Sequence, residues 1–272
     1  SDSDSDTDSD SDGSEVADLR DRCVRRIVGQ FLESKHGNAD RALAKFRKTL
    51  EFRRTARIDA LVRAFDNDIG NDNGNDNDNG NDSLAETLRR NLSSKKFYVQ
   101  GFDREGRSTL YFIPRNVVDH DLKSAFYSIE RAIASSRSVD GTINCVVDFS
   151  GFSISNRPPM EIGKEFLTTL RTVYAVQIHR IFLVHTPFSF SMMWNLFSPY
   201  LGNDKRDRIQ FVPSGTGARV HRELLDLYDL DQVPSWFLPG GTKNRSLDLD
   251  EYLYQLPFHA AFDDDHQMAP AQ

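Results

Sequence analysis

Cysteine is scarce in this chain: Cys23 and Cys145 are the only two among 272 residues. Two thiols are too few for a disulfide framework. Cys145, inside an apolar run, reads as a buried thiol in a reducing compartment, so a cytoplasmic location is expected. Long apolar runs are missing as well. No stretch approaches the roughly 18 apolar residues that a membrane-spanning helix needs, and no secretory leader is visible. The seven His are scattered without the paired Cys/His spacing of a zinc site, so no metal is expected. Gly151 and Gly163-Lys164 lie too far apart for a phosphate loop, and Lys164 is followed by Glu165 rather than Ser or Thr. There is no Gly-x-Ser-x-Gly elbow, and Asp148, Ser150 and His185 do not fall at a recognised triad spacing. The reading is of a protein that is not an enzyme.

Charge of one sign is concentrated in two places. Residues 1–12 carry six Asp and residues 66–82 another six, with no Lys or Arg in either stretch. Setting those twelve carboxylates aside turns the formal net charge from −7 to +5 for the remainder. A mildly basic body suits an anionic lipid surface, and the same charge serves solubility equally well. Residues 1–14 are Ser-Asp repeats with no apolar side chain to offset the entropy of ordering, and they read as a disordered acidic tail. The Asn/Asp/Gly tract at 66–82 reads as a disordered insert. Its Asp76-Asn77-Asp78-Asn79-Gly80 spacing hints at a calcium loop, but position twelve counted from Asp76 is Thr87, not the bidentate Glu that such a loop requires.

What the sequence does have is apolar periodicity. Val16, Leu19, Cys23, Ile27 and Phe31 recur near helical spacing, and Ala42, Leu43, Phe46 and Leu50 predict one apolar face of a second helix. Phe46, Leu50 and Phe52 interrupt the basic residues of 41–57, and no nucleic-acid-binding motif accompanies them, so no nucleic-acid partner is expected. Ile58 to Phe65 supplies a third helical run. Strands are predicted over 96–102 and 108–113 around the turn Asp103-Arg104-Glu105-Gly106. A helix over 119–135, a strand over 143–149, a helix over 161–177 and strands at 181–185 and 209–212 follow. Short helices over 219–228 and 247–256 close the chain. Strand–helix alternation in this order predicts an α/β fold with a mixed, mostly parallel sheet flanked by helices. The segment Thr186 to Trp194 has more apolar surface than one sheet face needs, which points to an apolar ligand or a membrane.

Two segments also resemble a known family. Val147-Asp148-Phe149-Ser150-Gly151-Phe152-Ser153-Ile154-Ser155 and Arg180-Ile181-Phe182-Leu183-Val184-His185-Thr186-Pro187-Phe188-Ser189-Phe190 look like the CRAL-TRIO lipid-binding domain. This is the family of cellular retinaldehyde-binding, tocopherol-transfer and phosphatidylinositol-transfer proteins. Phe197-Ser198-Pro199-Tyr200-Leu201, Asp207-Arg208-Ile209 and the stretch from Leu224-Leu225 to Gly240-Gly241 continue the match in the right order. The resemblance implies a helical N-terminal lobe (15–65), the insert (66–82), a lipid-binding body (95–245) and a C-terminal extension (246–272). The cavity floor would come from strands 109–113, 143–149 and 181–185, and a mobile gate from the helix around 188–201. Wall candidates are Tyr111, Val147, Phe149, Phe166, Leu170, Tyr174, His185, Phe188, Phe190, Met193, Trp194 and Phe197. Singly, each reads as ordinary core; as a set they favour a cavity.

Headgroup candidates implied by the resemblance are Ser153 and Ser155, which match positions holding a phosphocholine head, together with Arg208 and Lys35. Phosphatidylinositol-transferring members show Tyr-Pro-Glu-Arg before the second strand, where this chain has Tyr174-Ala175-Val176-Gln177, so Val176 replaces an acceptor for inositol hydroxyls. The closing Gly-Gly is preceded by a stretched Pro234-Ser235-Trp236-Phe237-Leu238-Pro239. The expected activity is binding of a hydrophobic small molecule or phospholipid by a monomer that docks transiently on membranes as a peripheral protein. The lipid would then be transferred or presented, with no cofactor besides the bound lipid. The alternative is an interaction or regulatory module of the same fold whose pocket is filled by side chains.

Overall fold

The structure is a computed structural model that describes residues 21, 24–66, 83–117, 119–153, 158–187, 190, 194, 208–212, 218–244, 247–256 and 258. The acidic tail, the calcium-loop candidate and most of the expected C-terminal extension lie outside the described residues. The chain divides into two compact units, residues 1–48 and residues 49–272.

In the first unit a helix over 24–33 (α1) ends in a turn where His36 and Gly37 take positive φ, and the Gly37 N–H donates to the Leu32 carbonyl. Asn38 then caps the next helix, its Oδ1 accepting the Arg41 N–H at 2.9 Å. The Phe31 and Phe46 rings meet edge to face at 5.2 Å. Helix α2 runs Ala39–Thr55. Of its expected apolar face Ala42 is buried and Phe46 half-buried, but Leu43 and Leu50 are 46% and 48% exposed, and Thr49 is buried in place of Leu50. One residue is a 100° rotation on a helix, so a small error in phase changes which side chains face inward.

In the second unit, α3 (Ile58–Val62) and α4 (Leu84–Ser93) precede the sheet. Ser83 and Glu86 close α4 with a reciprocal capping box. Ile58, Leu61, Leu88 and Leu92 bury in the same core as Val99 and Ile129, so the third helical run packs with the sheet. The five strands are β1 (Phe97–Phe102), β2 (Ser108–Phe112), β3 (Ile143–Asp148), β4 (Ile178–Val184) and β5 (Ile209–Val212), in that spatial order. The β1–β2 hairpin is antiparallel and the remaining pairs are parallel, which is the expected mixed α/β sheet. Its turn is held by Asp103, whose Oδ1 accepts the N–H groups of Glu105 and Arg107.

Helix α5 (Lys123–Ser135) crosses over between β2 and β3, and α6 (Met160–Thr169), continued by a π turn over Leu170–Tyr174, crosses between β3 and β4. Helix α7 (Ala218–Leu227) follows β5. Leu224, Tyr228, Val233, Phe237 and Leu238 bury against Tyr111, Val146, Phe182 and Val184 on one face of the sheet. The stretched Pro234–Pro239 segment thus ends in that core. It turns back through Gly241, where a Cβ would come within 2.5 Å of the Val233 carbonyl oxygen. Among the described residues, no helix is long and apolar enough to cross a membrane.

Candidate functional site

The two-residue period of a strand sends alternate side chains to opposite faces, and the register aligns those faces across the sheet. Leu110, Cys145, Ile181 and Ile209 stand in one row, and Phe97, Phe112, Val147 and Leu183 in the next. Both rows border a cavity of about 210 Å³. Its other wall comes from Ile129 of α5 and from Gly163, Phe166, Leu167 and Leu170 of α6 and its π turn. Pro114, Phe149, Phe152 and Pro158 complete one part, and Phe190 and Trp194 another. The lining is apolar throughout, so water gains few hydrogen bonds there and an apolar ligand is favoured. Cys145 shares this environment, and burial pushes its thiol up to about 12, keeping it protonated at neutral pH.

Phe190 is the hinge of an aromatic cluster. Its ring lies 4.6 Å from Phe149, 5.9 Å from Phe211 and 6.2 Å from Trp194, while Trp194 meets Phe211 at 5.2 Å. Phe211 on β5 is 42% exposed, so the cluster runs from the cavity to the surface.

A polar cluster stands at the C-terminal ends of β3 and β4. The Asp148 carboxylate, 4% exposed, accepts from the Ser150 N–H at 2.9 Å, the Ser150 hydroxyl at 2.7 Å and Arg115 Nη1 at 2.7 Å. It also bonds His185 Nδ1 at 2.9 Å. Burial alone would raise the Asp148 pKa; the bonds from Ser150, His185 and Arg115 outweigh it and hold the group below the ordinary carboxylate range. Ser150 bonds the carboxylate and not His185, so these three groups make no Ser–His relay. Gly151 takes φ +65° in this turn, with Arg115 Cδ lying 3.2 Å from where a Cβ would be.

Of the expected wall residues, Val147, Phe149, Phe166, Leu170, Phe190 and Trp194 line the cavity. Three others do not. Tyr111 pairs with Val146 and so faces the opposite core, stacked on Tyr98 at 5.0 Å. Tyr174 donates its hydroxyl to Glu130 at 2.9 Å and stacks on Phe126, away from the cavity. His185 lies one residue past β4 with φ +51° and its ring on Asp148. Phe188, Met193, Phe197 and Ser155 lie outside the described residues. Ser153 is exposed. Lys35 belongs to the turn after α1 in the first unit. Arg208 donates Nη1 to the carbonyls of Ala175 and Ile178, on either side of the buried Val176. Lining residues missed from the sequence include Phe97, Leu110, Phe112, Ile181 and Leu183. Each follows once Val147 is assigned inward and the register of β1, β2 and β4 against it is known.

The geometry agrees with what the chain is similar to. Tyrosine-protein phosphatase non-receptor type 9 of Homo sapiens is 26% identical over 134 residues, covering 47% of this chain and 22% of that protein. The Mus musculus counterpart is 26% identical over 136 residues with the same coverage. The match therefore spans about a fifth of the length of these curated relatives. The crystal structure of Sfh5 superposes with a TM-score of 0.60 at 12% identity, covering 89% of this chain and 78% of that one. The model of the CRAL/TRIO domain matches residues 92–237, more than half of the sequence and all five strands of the sheet, and the chain belongs to that family.

Proposed function

We propose that the chain binds one hydrophobic lipid in the cavity between the sheet and α6 and carries or presents it at membranes. The observation that supports this is the apolar cavity of about 210 Å³. Closing it with side chains would have gained van der Waals contact at no covalent cost. In this reading the segment around 188–201 is the gate, and Phe190 and Trp194 are its described contacts with the cavity. Exposing a lipid tail to water would cost about 0.8 kcal/mol per CH₂, so a cavity that shelters the tail as well as the bilayer does makes exchange between the two nearly neutral. No covalent step is part of the reading. Selective phosphatidylinositol transfer is not part of it either, because Val176 offers no acceptor and Arg208 Nη1 is held by backbone carbonyls.

Native mass spectrometry of the purified chain tests the proposal, with a lipid-sized mass expected on the folded protein. Phe190→Asp is expected to lose that mass with a modest fall in melting temperature. A protein that neither retains nor takes up lipid would instead be the interaction module, its cavity serving no ligand.

A further inference from the structure

The cavity has an apolar body but no polar group in its lining, so the ligand's head must be met at the rim. Arg115 is placed for that. Its neighbour Pro114 lines the cavity, as do Phe149 and Phe152 on either side of the Ser150-Gly151 turn over which the Arg115 side chain lies. Nη1 is fixed by the Asp148 carboxylate and by the Ser150 carbonyl at 2.9 Å and hydroxyl. Nε and Nη2 donate to nothing among the described residues, and the side chain is 39% exposed. A guanidinium offers its Nε–Nη2 edge as a two-donor fork that matches an oxyanion. Here Nη1 is held by protein while the Nε–Nη2 fork is open, so little side-chain freedom is left to lose on binding. Asp148 lies on the locked side and is itself satisfied by four donors, which keeps its charge turned away from the open edge.

We propose that Arg115 is the headgroup anchor of the bound lipid, its Nε–Nη2 edge receiving the carboxylate or phosphate of an anionic amphiphile. This rests on the lipid-binding reading above. It also relocates the head from the expected Arg208, which stands by Ile178 at the opposite end of β4. Seven strand residues at about 3.3 Å each put those two ends roughly 20 Å apart.

The test titrates the full chain with two pairs of probes that share an acyl chain: oleic acid against oleyl alcohol, and oleoyl lysophosphatidic acid against monoolein. The parent is expected to bind at least one anionic member about tenfold or more tightly than its neutral partner. Which pair shows the preference identifies carboxylate or phosphate. Arg115→Gln is expected to bring the anion down to the neutral probe's level and to leave the neutral probe unchanged. The double variant Arg115→Gln with Asp148→Asn removes any unpaired buried carboxylate and is expected to behave the same way. Equal binding within both pairs, or an anion preference that survives in the folded variants, overturns the anchor while leaving the lipid cavity standing. Inorganic phosphate that displaces oleate at comparable concentration overturns the lipid source of the anion. Failure of all four probes to bind overturns both readings together.

Discussion

The two faces of one sheet do different things with similar residues. On one face Tyr111, Val146 and Phe182 meet Leu224, Tyr228, Phe237 and Leu238 in a closed core, where Phe182 and Phe237 rings lie 5.7 Å apart. On the other, Leu110, Cys145, Ile181 and their neighbours are just as apolar, yet they leave an empty volume below α6. Apolar composition therefore does not distinguish a closed core from a cavity wall. What distinguishes them is whether the covering element reaches down to fill the space, and α6 contributes Gly163, which has no side chain, to the cavity wall.

The strongest way to break this comparison is truncation on each face. Phe237→Ala on the closed face is expected to lose about 3–5 kcal/mol in urea unfolding, with lipid retained per folded molecule unchanged. Phe166→Ala, which enlarges a space already empty, is expected to lose clearly less stability and to change lipid content; equal losses on the two faces would erase the distinction. Filling sharpens it next. Val147→Phe is expected to abolish lipid retention while stability stays within about 1.5 kcal/mol, because the added ring enters free volume instead of overpacking a core.

Acid gives a smaller effect, confined to the rim. The Asp148 pKa is depressed in the folded state, so its contribution to stability is present above the unfolded carboxylate value of about 4 and is lost as pH falls through the lower folded value. Unfolding measured against pH is expected to show that loss in the parent and not in Asp148→Asn. The smallest change is expected from Tyr111→Phe. The Tyr111 hydroxyl is buried and finds no hydrogen-bond partner among the described residues, so removing it is expected to raise stability by up to about 1 kcal/mol, read as a higher thermal midpoint, with lipid binding untouched.

How far the site could be read in advance follows from these same residues. Val147 and Phe149 were legible as wall because they are same-parity positions of one strongly apolar strand. Tyr111 was not, because its assignment depends on how β2 registers against β3. Shifting the choice by one residue, from Tyr111 to Phe112, moves the side chain to the other face. Tyr174 reads as apolar wall from helical periodicity, but the chain widens into a π turn at Leu170–Tyr174, which changes the phase, and its hydroxyl is claimed by Glu130, which also holds Arg53 at 2.6 Å. His185 sits where β4 has ended, and its positive φ directs it to Asp148.

The sequence by itself determined the order of strands and helices, because apolar period and turn residues are local properties of the chain. It also carried enough ordered motif to identify the family. Tertiary structure alone decided which face of the sheet stays open, because that depends on register between strands distant in sequence and on how closely α6 approaches them. It also decided which polar groups gather at the C-terminal ends of β3 and β4. Arg115, Asp148, Ser150 and His185 come from three separate segments, and only the parallel pairing of β3 with β2 and with β4 brings their ends together.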